Sequence, residues 1–284
     1  MNIILIGAGR IGSTIAYHLA KAGHAVSVVA RGARFEALRR EGAIVTTSGE
    51  RASIAVLPAL DTGTACDLLI VTVMEHQIDA LLPSLSASRA ANILLMFNTF
   101  EGTTRYRSAL GAERFAFAFP MMQAKLVEQR VQYRVDGPGM VTTFSRQDLA
   151  GLFKEAGLPT AVDNDMDAYL RSHVAMAVPL FLAALWTWRR PYALTWKEAK
   201  LLDAAWTDCF AVVRSLGHEV TPRSVDILSR MPSALRTPLM WLFAKTSAVK
   251  DVGEFGPTET RALIDAMVAA APAEARRLLA LRPD

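Results

Sequence analysis

Cysteine is scarce in this chain, with two in 284 residues. Cys66 and Cys209 lie far apart, each within an apolar stretch, and neither belongs to a C-x-x-C pair or has a histidine at metal-ligand spacing. A disulfide framework and a cysteine-based metal site are therefore excluded, and buried thiols in a reducing cytoplasm are expected. No basic run interleaved with aromatics occurs, so nucleic acid is not an expected partner. No internal repeat or low-complexity segment is present. The N-terminus has no basic leader region or small-residue cleavage site. The longest apolar run, Val174 to Trp188, is short for a bilayer span and contains Pro179, which predicts a buried helix and no membrane association.

Core-forming residues are plentiful. Hydrophobic residues make up 52% and charged residues 20%, with a net charge of +4. That composition supports a real core, and the mild positive field suits an anionic cofactor or substrate.

The most informative segment is Ile3-Ile4-Leu5-Ile6-Gly7-Ala8-Gly9-Arg10-Ile11-Gly12. A β-type run ends in a G-x-G-x-x-G and passes at once into a helical pattern carried by Ile11, Ile15 and Leu19. Gly7 suits the tight turn. Gly9 lets backbone approach a pyrophosphate, and Gly12 lets the helix pack on the sheet. The amides of Gly9, Arg10, Ile11 and Gly12 open the helix and face a phosphate favourably. A second β-type run, Ala25 to Ala30, completes the βαβ context that such a motif needs.

Short β-type runs continue: Ala43–Thr47, Ser53–Leu57, Leu68–Val73, Ile93–Phe97, Phe115–Phe119, Val131–Val135, Met140–Thr143 and Thr160–Val162. Leu68–Val73 and Ile93–Phe97 are continuously apolar, as strands buried on both faces are. The expected architecture is α/β: a Rossmann-type doubly wound sheet over residues 1–163, then an all-helical domain over 164–284. Helices are expected over Met166–Trp188 and Thr195–Leu216, with Gly217 as a C-cap, and from Thr221 as N-cap with Pro222 in the first turn. A further helix starts near Gly256-Pro257-Thr258-Glu259, and Arg189-Arg190-Pro191 is expected as a turn.

The second strand ends Val29-Ala30-Arg31-Gly32-Ala33-Arg34, with no acid for the ribose hydroxyls of NAD. Arg31, with Arg34 as a second candidate, suits the 2′-phosphate of NADP(H). The alternative is a solvated arginine beside a turn.

These features resemble the ketopantoate reductase (2-dehydropantoate 2-reductase) family. The resemblance is carried by Gly7-x-Gly9-x-x-Gly12, His24, Arg31, Val71-Thr72-Val73 with Met74 after it, and Asn98 following Ile93–Phe97. It implies a Rossmann domain, NADPH, with Val73, Met74 and Asn98 in the cofactor site, and reduction of a 2-oxo acid in a cleft between the two domains. Departures accompany it. The family lysine that follows Val-Thr-x is here Met74. The catalytic lysine falls on Ser172 or His173, and its following asparagines fall on Met176 and Leu180. His173 is then the candidate proton donor, or else a locally satisfied helix histidine. Asn98 is a candidate for a ribose or substrate hydrogen bond, or a strand-end turn residue. Glu254 matches the family acid, or is a helix-entry residue. Arg171 could hold a substrate carboxylate, and Lys125 and Lys245 are further cations.

With the asparagines gone, a carbonyl compound more apolar than ketopantoate is the expected substrate. The other functions to weigh are a dinucleotide-binding protein without turnover, and an opine- or imine-type dehydrogenase. Five tryptophans, four of them in the segment 186–206, suggest a homodimer through the helical part.

Overall fold

A computed structural model describes residues 1–137, 139–188, 190, 192–246, 249, 253 and 257–284. Residues Met1–Asn98 with Thr103–Met166 form one compact unit, and Thr99–Gly102 with Asp167–Asp284 form the other.

In the first unit β1 (Asn2–Ile6), β2 (Ala25–Val29), β5 (Ala55–Leu57), β6 (Cys66–Val71), β7 (Ala90–Leu95) and β8 (Phe115–Phe119) run parallel. β11 (Thr142–Phe144) joins β8 antiparallel, and β12 (Thr160–Val162) pairs parallel with β11. The order is β12-β11-β8-β7-β6-β1-β2-β5. The chain walks outward from β1 through β2 to β5, then returns to the other side of β1 with β6. That reversal is the topological switch point of a doubly wound sheet, where ligands bind beyond the carboxyl ends of the strands.

The central strands are buried on both faces, as their continuous apolar runs predict. Ile3, Leu5, Leu68, Ile70 and Leu94 share one core with Ile15, Ala16 and Leu19 of α1 (Arg10–Lys21). Ile4, Ile6, Leu69, Val71, Ile93 and Leu95 are buried as well. Each such side chain contributes about 1.5–3 kcal/mol. α2 (Gly32–Glu41), α3 (Leu82–Ala87), α4 (Thr104–Leu110) and α5 (Gln147–Glu155) complete the unit's helices among the described residues.

Two corrections concern strands. The expected strand Ser53–Leu57 is divided at Ile54. β3 (Ala43–Val45) and β4 (Arg51–Ser53) form their own antiparallel hairpin, whereas Ala55–Leu57 joins the main sheet as β5. One apolar run thus serves two sheets. β9 (Gln123–Val127) was not expected; it pairs with β10 (Arg130–Arg134) through a turn in which Glu128 and Gln129 both have positive φ, 48° and 66°.

The second unit is helical: α6 (Met166–Thr187), α7 (Trp196–Ser215), α8 (Arg223–Ser229), α9 (Ser233–Phe243), α10 (Thr258–Ala270) and α11 (Arg276–Leu281). Thr195 caps α7 through a capping box with Glu198. Gly217, at φ 79°, follows its end as expected. At α8 the start is shifted: Pro222, with an extended ψ of 170°, is the cap, and the helix begins at Arg223. α6 runs for 22 residues, long and apolar enough to cross a membrane by length and composition, yet 67% of its apolar window is buried inside the protein. Pro179 sits within it without ending it. Arg189 and Pro191 of the expected turn lie outside the described residues.

Candidate functional site

The carboxyl ends of β2, β1, β6 and β7 lie side by side and collect most of the expected residues. Gly7 to Gly12 follow β1, Arg31 follows β2, Val73 and Met74 follow β6, and Asn98 lies three residues beyond β7.

The glycine turn is built tightly on its protein side. Gly7 takes φ +107°, where a side chain is strained, and a Cβ there would stand 2.7 Å from the Thr72 hydroxyl. A Cβ on Gly12 would stand 2.0 Å from the Gly7 carbonyl oxygen and 2.5 Å from Thr72 Oγ1. α1 therefore crosses the turn at a distance only glycine permits. At Gly9 the situation is reversed: among the described residues, nothing outside its own chain neighbours lies within 4 Å of a Cβ position. Gly9 is also the N-cap of α1, with no side-chain cap and no acid in the first turn. The turn so presents backbone amides and a helix N-terminus with no acid in its own first turn, a donor set suited to a pyrophosphate.

Two carbonyls of the turn are held from behind. Thr72 Oγ1 donates to the Gly7 oxygen at 2.9 Å. Ser13 Oγ and Arg34 Nε donate to the Ala8 oxygen at 3.1 and 3.0 Å. Thr72 stands in the Val71-Thr72-Val73 segment that the resemblance singled out, but its hold on the turn, Ser13 and this use of Arg34 were not expected. The signal for Thr72 lies in the register: Ile6 pairs with Val71, which brings Thr72 beside Gly7.

Arg31 is exposed and is the N-cap of α2. Arg34 is half-buried and committed to the protein, because Nη1 also donates to the Gln129 carbonyl at 2.6 Å and Nη2 to Ser13 Oγ at 2.8 Å. The expectation of Arg34 as a second phosphate ligand is corrected accordingly. Val73 and Asn98 are half-buried, and Met74 is exposed with its N–H donating to Gln77 Oε1 at 3.1 Å.

Lys125 is exposed on β9 of the first unit, and the other described candidates belong to the helical unit. His173 is buried on α6, and burial pushes its imidazole down to about 4, so the ring is neutral near pH 7. Ser172 is fully buried, and its hydroxyl accepts the Thr221 N–H at 3.0 Å. Both positions that the lysine could occupy are thus enclosed. Met176 and Leu180 are half-buried on the same helix. Arg171 does not offer a two-point grip on a substrate. Its Nη2 donates to the Glu101 carbonyl at 2.8 Å, and Nη1 lies 3.8 Å from Asp167 Oδ2 and donates to the Asp167 carbonyl at 3.3 Å. It braces the Thr99–Gly102 segment. Lys245 Nζ stacks 3.3 Å from the centre of the Trp241 ring. Glu254 lies outside the described residues. No group of three or more metal-ligating side chains occurs among the described residues.

The sequence model of the ketopantoate reductase PanE/ApbA family matches residues 3–145, half of the chain. The chain belongs to that family. Ketopantoate reductases are oxidoreductases that use a nicotinamide cofactor, and the turn just described has the donors such a cofactor needs. Among solved structures, a PanE/ApbA family ketopantoate reductase from Ralstonia eutropha JMP134 is 21% identical, with 99% of this chain and 97% of that one covered at a TM-score of 0.75. A D-mandelate dehydrogenase solved with NADH is 14% identical, with coverage of 99% and 97% and a TM-score of 0.73. A dimeric ketopantoate reductase from Staphylococcus aureus is 15% identical, with coverage of 99% and 96% and a TM-score of 0.69. These likenesses concern the fold. No curated protein sequence matches the chain.

Proposed function

We propose that this ketopantoate reductase family chain is an NADPH-dependent reductase of a carbonyl compound more apolar than ketopantoate. The observation that carries the cofactor is the turn itself: its carbonyls are pinned inward by Thr72, Ser13 and Arg34, and its Gly9 face is open. When bound there, the cofactor supplies a hydride. Gly9 and the first amides of α1 hold its diphosphate. Arg31, exposed and without a neighbouring acid at the strand end, pairs with the 2′-phosphate. Val73, Met74 and Asn98 line the nicotinamide half.

The substrate preference rests on α6. Met176 and Leu180 replace amides that would solvate a carboxylate, and an apolar wall cannot compensate a desolvated anion. The D-mandelate dehydrogenase on this fold supports a bulkier substrate. His173, held neutral near pH 7 by burial, has no imidazolium proton to give, so protonation of the product oxygen falls to another group or to water. NADPH oxidation followed with ketopantoate and with a panel of bulky ketones and 2-oxo acids tests the reading. Efficient ketopantoate turnover would end it.

The enclosure of Ser172 and His173 favours a second reading, a chain that binds NADP(H) without turnover. Tight NADPH binding with no oxidation across the panel would select it.

Self-association as a homodimer is proposed on a row of exposed apolar residues on α9: Leu235, Leu239, Leu242 and Phe243. Sedimentation velocity tests it. Work in the cytoplasm is proposed on the two buried, unpaired thiols.

A further inference from the structure

Arg34 stands in the first turn of α2, three residues past Arg31. Three of its nitrogens are engaged, two on the frame of the glycine turn and one on the β9–β10 turn. Nε donates to the Ala8 oxygen at 3.0 Å, Nη2 to Ser13 Oγ at 2.8 Å, and Nη1 to the Gln129 carbonyl at 2.6 Å. Ser13 Oγ passes its own hydrogen to the same Ala8 oxygen at 3.1 Å, and Ser13 is fully buried. Arg34, Ser13 and the Ala8 carbonyl so form a closed triangle.

A trans peptide is planar, and its C=O and following N–H point in opposite directions. An Ala8 oxygen fixed toward Arg34 and Ser13 turns the Gly9 N–H away from both. Nothing outside the chain neighbours lies within 4 Å of a Cβ placed on Gly9 among the described residues, so open space surrounds that residue. The third contact extends the brace. Gln129 is one of the two positive-φ residues in the β9–β10 turn, so Arg34 ties that hairpin to the glycine turn.

We propose that Arg34 is a positioning residue for dinucleotide binding: with Ser13 it locks the Ala8–Gly9 peptide so that the Gly9 N–H faces the diphosphate. This rests on the reading of the turn as a nicotinamide dinucleotide site. The division of labour with Arg31 follows. Arg31 meets the group that distinguishes NADPH from NADH, whereas Arg34 acts on the part the two share.

The test uses the full chain, labelled with ¹⁵N-glycine, as wild type, Arg34→Gln, Ser13→Ala and Arg31→Gln. Calorimetry measures NADPH and NADH binding to each, and thermal melts check folding. Arg34→Gln weakens both nucleotides by the same factor, roughly tenfold to a hundredfold for a lost charge-assisted hydrogen bond. Ser13→Ala weakens both equally by a smaller factor, and it carries the test alone should Arg34→Gln fail to fold. Arg31→Gln weakens NADPH alone. In nucleotide-free protein the Gly9 amide resonance moves in the Arg34 and Ser13 variants while Gly217 stays in place, a signature that general destabilisation does not produce. Loss of NADPH binding only, unchanged binding of both, or an unmoved Gly9 resonance in the folded variants overturns the proposal. Wild-type protein that takes up neither nucleotide removes the dinucleotide reading first, and the proposal falls with it.

Discussion

The Thr72 hydroxyl donates to the Gly7 carbonyl at 2.9 Å, joining the end of β6 to the first glycine of the turn after β1. A Cβ on Gly12 would stand 2.5 Å from the same hydroxyl. One side chain so supports the turn and sets the clearance of the helix above it. Thr72→Val keeps the shape and removes the donor. We expect a loss of about 1 kcal/mol in stability, together with weaker nucleotide binding, measured by urea denaturation and calorimetry.

Gly9 and Gly12 separate binding from folding. Gly9 has φ −73°, which alanine adopts without strain, and a Cβ there meets nothing within 4 Å beyond its chain neighbours among the described residues. Gly9→Ala is expected to leave the melting temperature unchanged and to weaken the nucleotide. Gly12→Ala meets a backbone oxygen at 2.0 Å that must move. It is expected to cost about 1–3 kcal/mol, with 3 or more if the helix cannot retreat. Paired melts and binding isotherms check both.

His173 makes stability depend on pH. Its pKa falls from 6.5 to about 4 on folding, through burial. The unfolded chain then binds more protons than the folded one below neutrality. The contribution is full above about pH 6.5 and is lost as pH falls toward 4, on the order of 2–3 kcal/mol. His18, lowered by the same cause, acts in the same direction. Unfolding free energies at pH 7.5 and pH 5 should differ less in His173→Leu than in the wild type. Equal pH dependence in both proteins would contradict the assignment.

The helical unit is held by a buried ion pair. Arg236 Nε donates to Asp203 Oδ1 at 2.5 Å, with the two side chains 10% and 6% exposed, and Ser233 Oγ donates to Asp203 as well. Arg236→Leu leaves a buried carboxylate without its cation and is expected to cost about 3–5 kcal/mol. Arg236→Leu combined with Asp203→Leu should recover much of that loss in chemical denaturation.

The fold was legible because its central strands read as unbroken apolar runs and its glycine motif stood between strand and helix. What escaped was carried by polar contacts over long sequence distances. β9 has mostly exposed residues and a Glu128-Gln129 turn without the glycine or asparagine that marks such hairpins. Arg34 reads as a free cation until the Gln129 carbonyl, 95 residues away, is seen to hold it. His173 could be aligned with a lost lysine, but only packing shows that it is enclosed. The glycine turn was therefore legible in local sequence, and the surroundings of the α6 candidates were not.

In the proposed reading, cofactor choice is decided at Arg31. Titration calorimetry of NADPH and of NADH into the purified wild-type chain, repeated with Arg31→Ala, measures it most directly. NADPH should bind tighter than NADH, and the substitution should erase a difference of about tenfold or more while sparing NADH. Heat from neither nucleotide, or an NADPH isotherm that Arg31→Ala leaves unchanged, would contradict the account.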